Sequence, residues 1–190
     1  MNKEQKIIYN ELISQYNFTQ WQKDEIESGL EKGLDVTLYA KPEFDWTQMQ
    51  VIRWGLKEGL DVSIYARTEY NANQMNEIGI GLKRKLDISW YAKPEFNDSQ
   101  MCEIRLGLED ELNVSIYANS EFNDGQMEEI RYGLEDNLDV SLYTNSEFSS
   151  LQMREIRIGL VKGIDVGTYL NPSIDYKEML RIRLELEGNK

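Results

Sequence analysis

The chain has 190 residues, of which 41% are hydrophobic, enough to bury the core of an ordinary globular domain. It has no histidine and a single cysteine, Cys102, which excludes serine–histidine and cysteine–histidine catalysis, imidazole-bound metals and cysteine-rich zinc sites. The formal net charge of −13 opposes direct binding to nucleic acid or to an anionic membrane and favours a protein partner with a basic surface.

The first predicted element is an amphipathic helix within residues 1–16, where Ile7, Ile8, Leu12 and Ile13 recur at helical spacing. The polar start of the chain has neither the apolar stretch of a signal peptide nor an apolar run of roughly 20 residues that could span a membrane. We therefore expect a cytoplasmic protein.

An internal repeat of 26 residues dominates the rest of the chain. The recurring Leu-Asp-Val segment and its variants begin at Leu34, Leu60, Leu86, Leu112, Leu138 and Ile164. Six full repeats follow, at 17–42, 43–68, 69–94, 95–120, 121–146 and 147–172. Because terminal repeats must cover the open ends of a stack, we expect residues 1–16 and 173–190 to form capping helices of a single repeat domain spanning 1–190.

Each repeat begins with the signature of a helix N-terminus. A residue able to cap the helix is followed three positions later by glutamine, as in Asn123 and Gln126, which predicts a capping box. An aromatic residue before the cap and a methionine inside the helix, such as Phe122 and Met127, have the spacing of a hydrophobic staple. The predicted N-caps are Thr19, Asp45, Asn71, Asn97, Asn123, Ser149 and Asp175.

A second, shorter element follows each predicted helix. Gly33, Gly59 and Gly163 suit a left-handed residue at the helix end. The next segment, Asp61 to Ala66 in one repeat, reads as a short helix capped by its aspartate, although valine, isoleucine and tyrosine also suit a strand. We prefer the helix, and predict an all-α fold: a right-handed α-solenoid of six helix–turn–short-helix repeats with a capping helix at each end.

A glycine recurs in the middle of each long helix, where it costs about 1 kcal/mol relative to alanine. The residue before it is usually large, as in Leu106 before Gly107. Our hypothesis is that the large residue of one repeat packs over the glycine of the preceding repeat.

The repeated aspartates, tyrosines and methionines resemble rows of catalytic groups but are explained more simply. We interpret Asp61 and its equivalents as caps of the short helices, and the tyrosines and methionines as core. We expect Cys102, which no histidine can activate, to be a helix-surface residue and not a nucleophile. We expect no enzyme activity and no cofactor; a carboxylate-based metal hydrolase is the weakest hypothesis.

Function is sought instead in residues that differ between repeats. Residues 95–146 hold 13 acidic and 2 basic side chains, a local net charge of −11, which can steer a basic partner. The candidate binding carboxylates are Asp98, Glu109, Asp110, Glu111, Asp124, Glu128, Glu135 and Asp136. Two helical pairs, Arg105 with Glu109 and Arg131 with Glu135, should neutralise part of this charge.

The four tryptophans lie in the first half of the chain. Trp21 and Trp46 fall near helix starts, away from the core stripe, where exposed tryptophan can serve as a binding hot spot or can cover the core. Trp54 immediately precedes a repeated glycine, and is expected to pack between repeats.

The string Gln126-Met127-Glu128-Glu129-Ile130-Arg131-Tyr132-Gly133-Leu134, followed by Leu138-Asp139-Val140-Ser141, resembles a repeat of uncharacterised bacterial and phage proteins. The resemblance implies helical repeats and a bacterial or phage setting, and no activity. Our leading hypothesis is a non-enzymatic repeat protein that binds a protein partner. The alternative is an acidic nucleic-acid mimic, of phage origin, that inhibits a bacterial nucleic-acid-binding defence enzyme.

Overall fold

The computed structural model describes residues 1–188, which form α-helices and short 3-10 helices and contain no strand. The α-helices are α1 Lys3–Gln15, α2 Gln20–Glu31, α3 Trp46–Lys57, α4 Ala72–Arg84, α5 Asp98–Glu109, α6 Asp124–Glu135, α7 Ser150–Val161 and α8 Tyr176–Gly188. The 3-10 helices are Val36–Leu38, Val62–Ile64, Ile88–Trp90, Val114–Ile116, Val140–Leu142 and Val166–Thr168. The predicted strand alternative is therefore wrong within residues 1–188.

The long helices begin where the capping pattern predicts. Complete capping boxes occur at α2, α3, α4, α6 and α7, where the N-cap side chain accepts a backbone hydrogen bond and the glutamine accepts one in return. In α6, for example, Asn123 N donates to Gln126 Oε1 over 2.8 Å, and Gln126 N donates to Asn123 Oδ1 over 2.9 Å. A further box, Asn2 with Gln5, starts α1 and was not predicted.

The same glutamines also join each repeat to the next. The Nε2 amide of Gln48 donates to the carbonyl oxygen of Tyr70 over 2.7 Å, and that of Gln126 donates to Phe148 O over 2.6 Å. Equivalent bonds run from Gln22 to Phe44, Gln74 to Phe96, Gln100 to Phe122 and Gln152 to Ile174. A buried glutamine that completes the capping box of its own helix thus also hydrogen-bonds to the loop that precedes the next helix.

Each 3-10 helix is followed directly by a tyrosine that fills the core. Asp61 Oδ1 accepts a bond from Ser63 N over 3.1 Å, which confirms the capping role of this aspartate. Tyr39, Tyr65, Tyr91, Tyr117, Tyr143 and Tyr169 are fully buried. The repeated methionines and isoleucines of the long helices, such as Met127 and Ile130, are also fully buried, as the predicted core stripe requires.

The repeated glycine has a different role from the one expected. A Cβ atom at Gly133 would lie 1.9 Å from Tyr143 Oη and 2.7 Å from Val140 Cγ1, both in the same repeat. The expected packing by the large residue of the following repeat is therefore wrong. The glycine makes room for its own tyrosine, whose hydroxyl donates to a helix carbonyl, Glu129 O in this repeat, over 3.2 Å.

The chain divides into two compact units, residues 1–98 and the part from Ser99 onward. In the first unit α1 packs on α2, α2 on α3 and α3 on α4; in the second, α6 packs on α7 and α7 on α8. The fold class is thus an all-α helical repeat of the solenoid type, with α1 and α8 as the predicted terminal helices. The right hand of the stack remains a prediction.

Candidate functional site

Partly or fully buried ion pairs connect successive long helices within each of the two units. In the second unit Arg131 Nε lies 2.8 Å from Glu103 Oε2, Arg157 Nε 2.8 Å from Glu129 Oε2, and Arg183 Nε 2.7 Å from Glu155 Oε2. In the first unit Arg53 Nε lies 2.6 Å from Glu25 Oε2. These pairs, here called the ion-pair ladder, assign several carboxylates to the scaffold.

Ion pairs within α5 and α6 neutralise part of the candidate acidic surface. Arg105 pairs with Glu109 and Arg131 with Glu135, which confirms both predicted helical pairs. Burial raises the pKa of Glu103, while the hydrogen bond from Arg131 acts in the opposite direction. Because Arg105 and Arg131 offset the charges of Glu109 and Glu135, these two glutamates are weaker candidates for steering a partner than a count of acidic residues suggests.

Three exposed carboxylates, Asp110, Glu111 and Asp136, follow the C-terminal ends of α5 and α6 and are here called the acidic edge. Asp110 and Asp136 occupy the same position in successive repeats. Asp136 is the C-cap of α6, and its Oδ2 lies 3.6 Å from Arg157 Nη1. Because a helix C-terminus carries partial negative charge, carboxylates are unfavourable there.

Glu111 is unfavourable for a second reason. Its φ of +57° is in the left-handed region, in which three of the repeats place a glycine, Gly33, Gly59 or Gly163. A side chain with a Cβ atom adopts that region at a cost of roughly 1 kcal/mol or more. Neither backbone geometry nor helix electrostatics accounts for a glutamate at this position.

The remaining candidate carboxylates lie at the other ends of the helices. Asp98 is the first residue of α5 and accepts a bond from Asn73 Nδ2 over 3.2 Å, and Asp124 is the first residue of α6. Glu128, one turn into α6, accepts a bond from Tyr132 Oη over 3.2 Å. Since 12 helical residues span about 18 Å, Asp124 and Asp136 belong to separate surfaces. The helix dipole by itself explains acidic residues in the first turn of a helix, so these carboxylates need no partner to account for them.

The two candidate tryptophans do come together. The rings of Trp21 and Trp46 lie 5.8 Å apart between centroids, with 35° between their planes. They are 66% and 41% exposed, so the pair covers the core only in part and presents an aromatic surface on the first unit. Trp21 is near the start of α2 and Trp46 is the first residue of α3.

Sequence comparison between repeats overlooked the basic counterpart of the acidic edge. Lys83, Arg84 and Lys85 occupy, in the third repeat, the positions that Glu109, Asp110 and Glu111 occupy in the fourth. Lys85 has a φ of +61° and Glu111 one of +57°, so the local backbone is the same while the charge is reversed. The end of the long helix is therefore a position at which charge varies on a constant scaffold.

Within residues 1–188 there is no cluster of three or more histidine, cysteine, aspartate or glutamate side chains that could hold a metal ion. None of the helices in this range combines the length and the hydrophobicity of a membrane span. Cys102 is half-buried on α5, where its Sγ accepts a hydrogen bond of 3.4 Å from Arg105 Nη2. Comparisons with known protein families, with curated proteins and with solved structures find no match for this chain.

Proposed function

We propose that this chain is a non-enzymatic helical-repeat protein that binds a protein partner with a basic surface through its acidic edge. The observation that carries the proposal is Glu111, an exposed carboxylate at the end of α5 with a left-handed backbone. Helix electrostatics and backbone conformation both oppose a glutamate there. A residue that costs stability without making a structural contact is best explained by recognition.

The arrangement of the other charges supports this assignment. The ion-pair ladder and the capping boxes account for Glu103, Glu129 and the N-cap residues as scaffold. Asp110 and Asp136 are exposed and equivalent in successive repeats, as a repeated contact with one partner requires. Exposed carboxylates of this kind attract a basic surface over a Debye length of about 8–10 Å at moderate salt.

The test uses the full-length protein as bait in a lysate of the bacterial host, with identification of captured proteins by mass spectrometry. The triple variant D110N/E111Q/D136N should weaken binding to the captured protein by roughly tenfold or more, and the wild-type affinity should fall with added salt. The matched control E95Q/E121Q/E147Q removes three charges from equivalent turn positions and should bind as the wild type does. Equal affinities for the two triple variants would contradict the proposal.

A competition assay separates the leading proposal from the nucleic-acid mimic. A mimic occupies the site at which its partner binds nucleic acid, so DNA or RNA should displace it from the captured protein. A partner that binds this chain and nucleic acid at the same time supports the protein-binding proposal and contradicts mimicry.

Stability gives an independent measure of the same assignment. Replacing Glu111 with glycine relieves the left-handed strain and should raise the free energy of unfolding by about 1 kcal/mol, while weakening partner binding. A variant that is more stable and binds equally well would remove Glu111 from the interface.

A further inference from the structure

The ion-pair ladder has one gap within the first unit. At the positions where a glutamate and an arginine meet in other repeats, α3 carries Val51 and α4 carries Gly79. Both charged groups are replaced together, so the gap leaves neither a buried carboxylate nor a buried guanidinium without a partner. The side chains that would fill the groove between α3 and α4 are much smaller here.

Trp54 partly occupies the gap. A Cβ atom at Gly79 would lie 2.8 Å from Trp54 Cζ3, so the indole lies directly against the glycine backbone. Lys83 Nζ is 5.6 Å from the Trp54 ring centroid and also 2.7 Å from Glu58 Oε2. The expected packing of Trp54 between repeats is confirmed, but the glycine it contacts belongs to the following repeat.

A buried polar atom beneath the gap has no hydrogen-bond partner. Tyr65 Oη is the one buried side-chain atom of this kind in the part of the chain that the structure describes. It lies 3.7 Å from the position of a Cβ on Gly79. The equivalent hydroxyls of Tyr39 and Tyr143 donate to helix carbonyls over 3.0 and 3.2 Å. The local packing at the gap thus differs from that of the other repeats.

An open cavity of about 370 Å³ lies beside Trp54, on the same face of the first unit. It is lined by Lys32, Gln50, Val51, Arg53, Trp54, Lys57 and Asn76. Arg53 is paired with Glu25, whereas Lys32 and Lys57 form no ion pair with any residue among 1–188; Lys32 Nζ donates to Ser28 Oγ over 3.3 Å. The cavity therefore offers an aromatic ring, two ammonium groups and two amide side chains.

We propose that this cavity binds a mononucleotide, with the base against Trp54 and the phosphate at Lys32 and Lys57. Aromatic side chains stack on nucleobases, and lysine ammonium groups bind phosphate as compact point charges. The amides of Gln50 and Asn76 can each donate and accept, as the polar edge of a base requires. The volume is within the range of about 300–1,000 Å³ typical of small-molecule sites.

The charge of the whole chain fits a small ligand better than a polymer. A net charge of −13 repels a long polyanion, whose many phosphates extend beyond the local cations. A single phosphate next to two lysines interacts mainly with those lysines, since screening weakens the effect of distant charges. The cavity and the acidic edge share no residue, so the test of the cavity does not depend on the proposed protein partner.

The test is isothermal titration of the full-length protein with AMP, GMP, CMP and UMP, each compared with its nucleoside and with inorganic phosphate. At least one nucleotide should bind at a single site with a submillimolar dissociation constant, and more tightly than both its nucleoside and phosphate. Absence of saturable binding of all four nucleotides at millimolar concentration would overturn the proposal. Equal binding of nucleoside and nucleotide, or of phosphate and nucleotide, would overturn it as well.

Variants locate the site. W54L and the double variant K32M/K57M should each lower nucleotide affinity about tenfold or more, whereas W46L changes an exposed tryptophan outside the cavity and should have no effect. Because Lys32 and Lys57 are exposed, their replacement should leave the fold intact, which circular dichroism checks. Unchanged affinity in both cavity variants would overturn the assignment of the site.

A third variant restores the ladder. The combination V51E/W54L/G79R places in the gap the glutamate, leucine and arginine found at equivalent positions of other repeats. It should fold, keep or raise the thermal midpoint, and lose nucleotide binding because the restored side chains fill the cavity. Retention of wild-type nucleotide affinity in this folded variant would contradict the proposal.

Discussion

The glutamine near the start of each long helix uses both ends of its amide. The oxygen accepts a bond from the N-cap backbone, and the nitrogen donates to a carbonyl of the next repeat, as Gln126 does to Phe148. Glutamate can make the first bond but not the second, since an ionised carboxylate has no donor. The partial repeat 173–190 has Glu178 at this position, and no full repeat follows it in the 190 residues.

This difference predicts that exchanging glutamine and glutamate has a larger effect on stability at position 126 than at position 178. Q126E should lower the free energy of unfolding by roughly 2 kcal/mol, because it removes a buried donor and places a carboxylate against the carbonyl oxygens of Phe148 and Ser146. The reverse change E178Q, in the terminal helix, loses only an exposed ion pair with Arg181 and should lower the urea midpoint much less than Q126E does. Similar midpoints for the two variants would mean that the bond between repeats contributes little.

The N-cap of α3 makes stability depend on pH. Burial raises the pKa of Asp45, but hydrogen bonds from the Thr47 hydroxyl and from the backbone of Gln48 and Thr47 outweigh it and hold the pKa below its ordinary 3.8. A lowered folded-state pKa adds stability that is present above pH 3.8 and is lost as pH falls through the folded-state value.

Comparison of the wild type with D45N isolates this contribution. Asparagine keeps the cap, as Asn71 does in the next repeat, but cannot titrate. The stability advantage of the wild type over D45N in urea unfolding should therefore shrink below pH 3.8. An advantage that grows on acidification would contradict the assignment of the charged form to the folded state.

Between helices, the ion-pair ladder couples residues that the linear sequence separates by 28 positions. Glu155 and Arg183 are both buried, and Arg183 also donates to Glu187 over 3.2 Å. Removing one partner from a buried pair leaves an uncompensated charge, whereas removing both leaves an apolar contact. The paired Val51 and Gly79 show the same principle within the protein.

A double-mutant cycle measures this coupling. R183L alone should lower the free energy of unfolding by roughly 3 kcal/mol, and E155V/R183L should recover a large part of that loss. The measurement is urea unfolding of the wild type, both single variants and the double variant. Additive losses would show that the pair acts as two independent packing residues.

Most contacts within a repeat could be predicted from the sequence, whereas the partners of most contacts between repeats could not. The capping box of Asn123 and Gln126 and the burial of Tyr143 follow from spacing and residue type, which act over a few turns of helix. The bonds from Gln126 to Phe148 and from Arg157 to Glu129 depend on how one helix is displaced and rotated against the next. No local rule supplies those values. The contact of Gly133 with Tyr143 is an exception, because it lies within one repeat and was still not predicted.

The sequence predicted which acidic residues could form the candidate surface, but not which of them lie together. The acidic residues of α5 and α6 were identified by counting, but the structure assigns Glu103 and Glu129 to the ladder and separates Asp124 from Asp136. One signal for the ladder was present in the sequence: the glutamate and the arginine disappear together at Val51 and Gly79. Repeats within one chain can thus reveal contacts by joint substitution.

For the whole molecule, the scaffold is constant while charge and aromatic content change from repeat to repeat. The first unit carries the tryptophans, the basic Lys83–Lys85 segment and the cavity, and the second carries Asp110, Glu111 and Asp136. Each unit can therefore present different chemistry on the same backbone.

The gap in the ladder makes repeat deletions unequal. Deleting residues 43–68 places Gly79 opposite Glu25 and leaves a half-buried carboxylate without its arginine, which should lower the free energy of unfolding beyond the loss of one repeat. Deleting residues 43–94 instead places Arg105 opposite Glu25 and restores the pair. In the shorter deletion the further change E25V should raise the thermal midpoint by calorimetry, because it removes the carboxylate that has lost its arginine, whereas in the longer deletion E25V should lower it. The same effect of E25V in both deletions would contradict the role given to the ladder.

The same gap constrains how such a chain can change its length over generations. Duplication or loss of one repeat preserves the ion pairs only where the repeats that it brings together supply both the glutamate and the arginine, or neither of them. Residues 43–68 supply only the arginine and residues 69–94 only the glutamate, so these two repeats form one heritable block. Unequal recombination between these two repeats would leave a glutamate or an arginine without its partner and would destabilise the protein. The two repeats, and with them the cavity at Trp54, should therefore be kept or lost together.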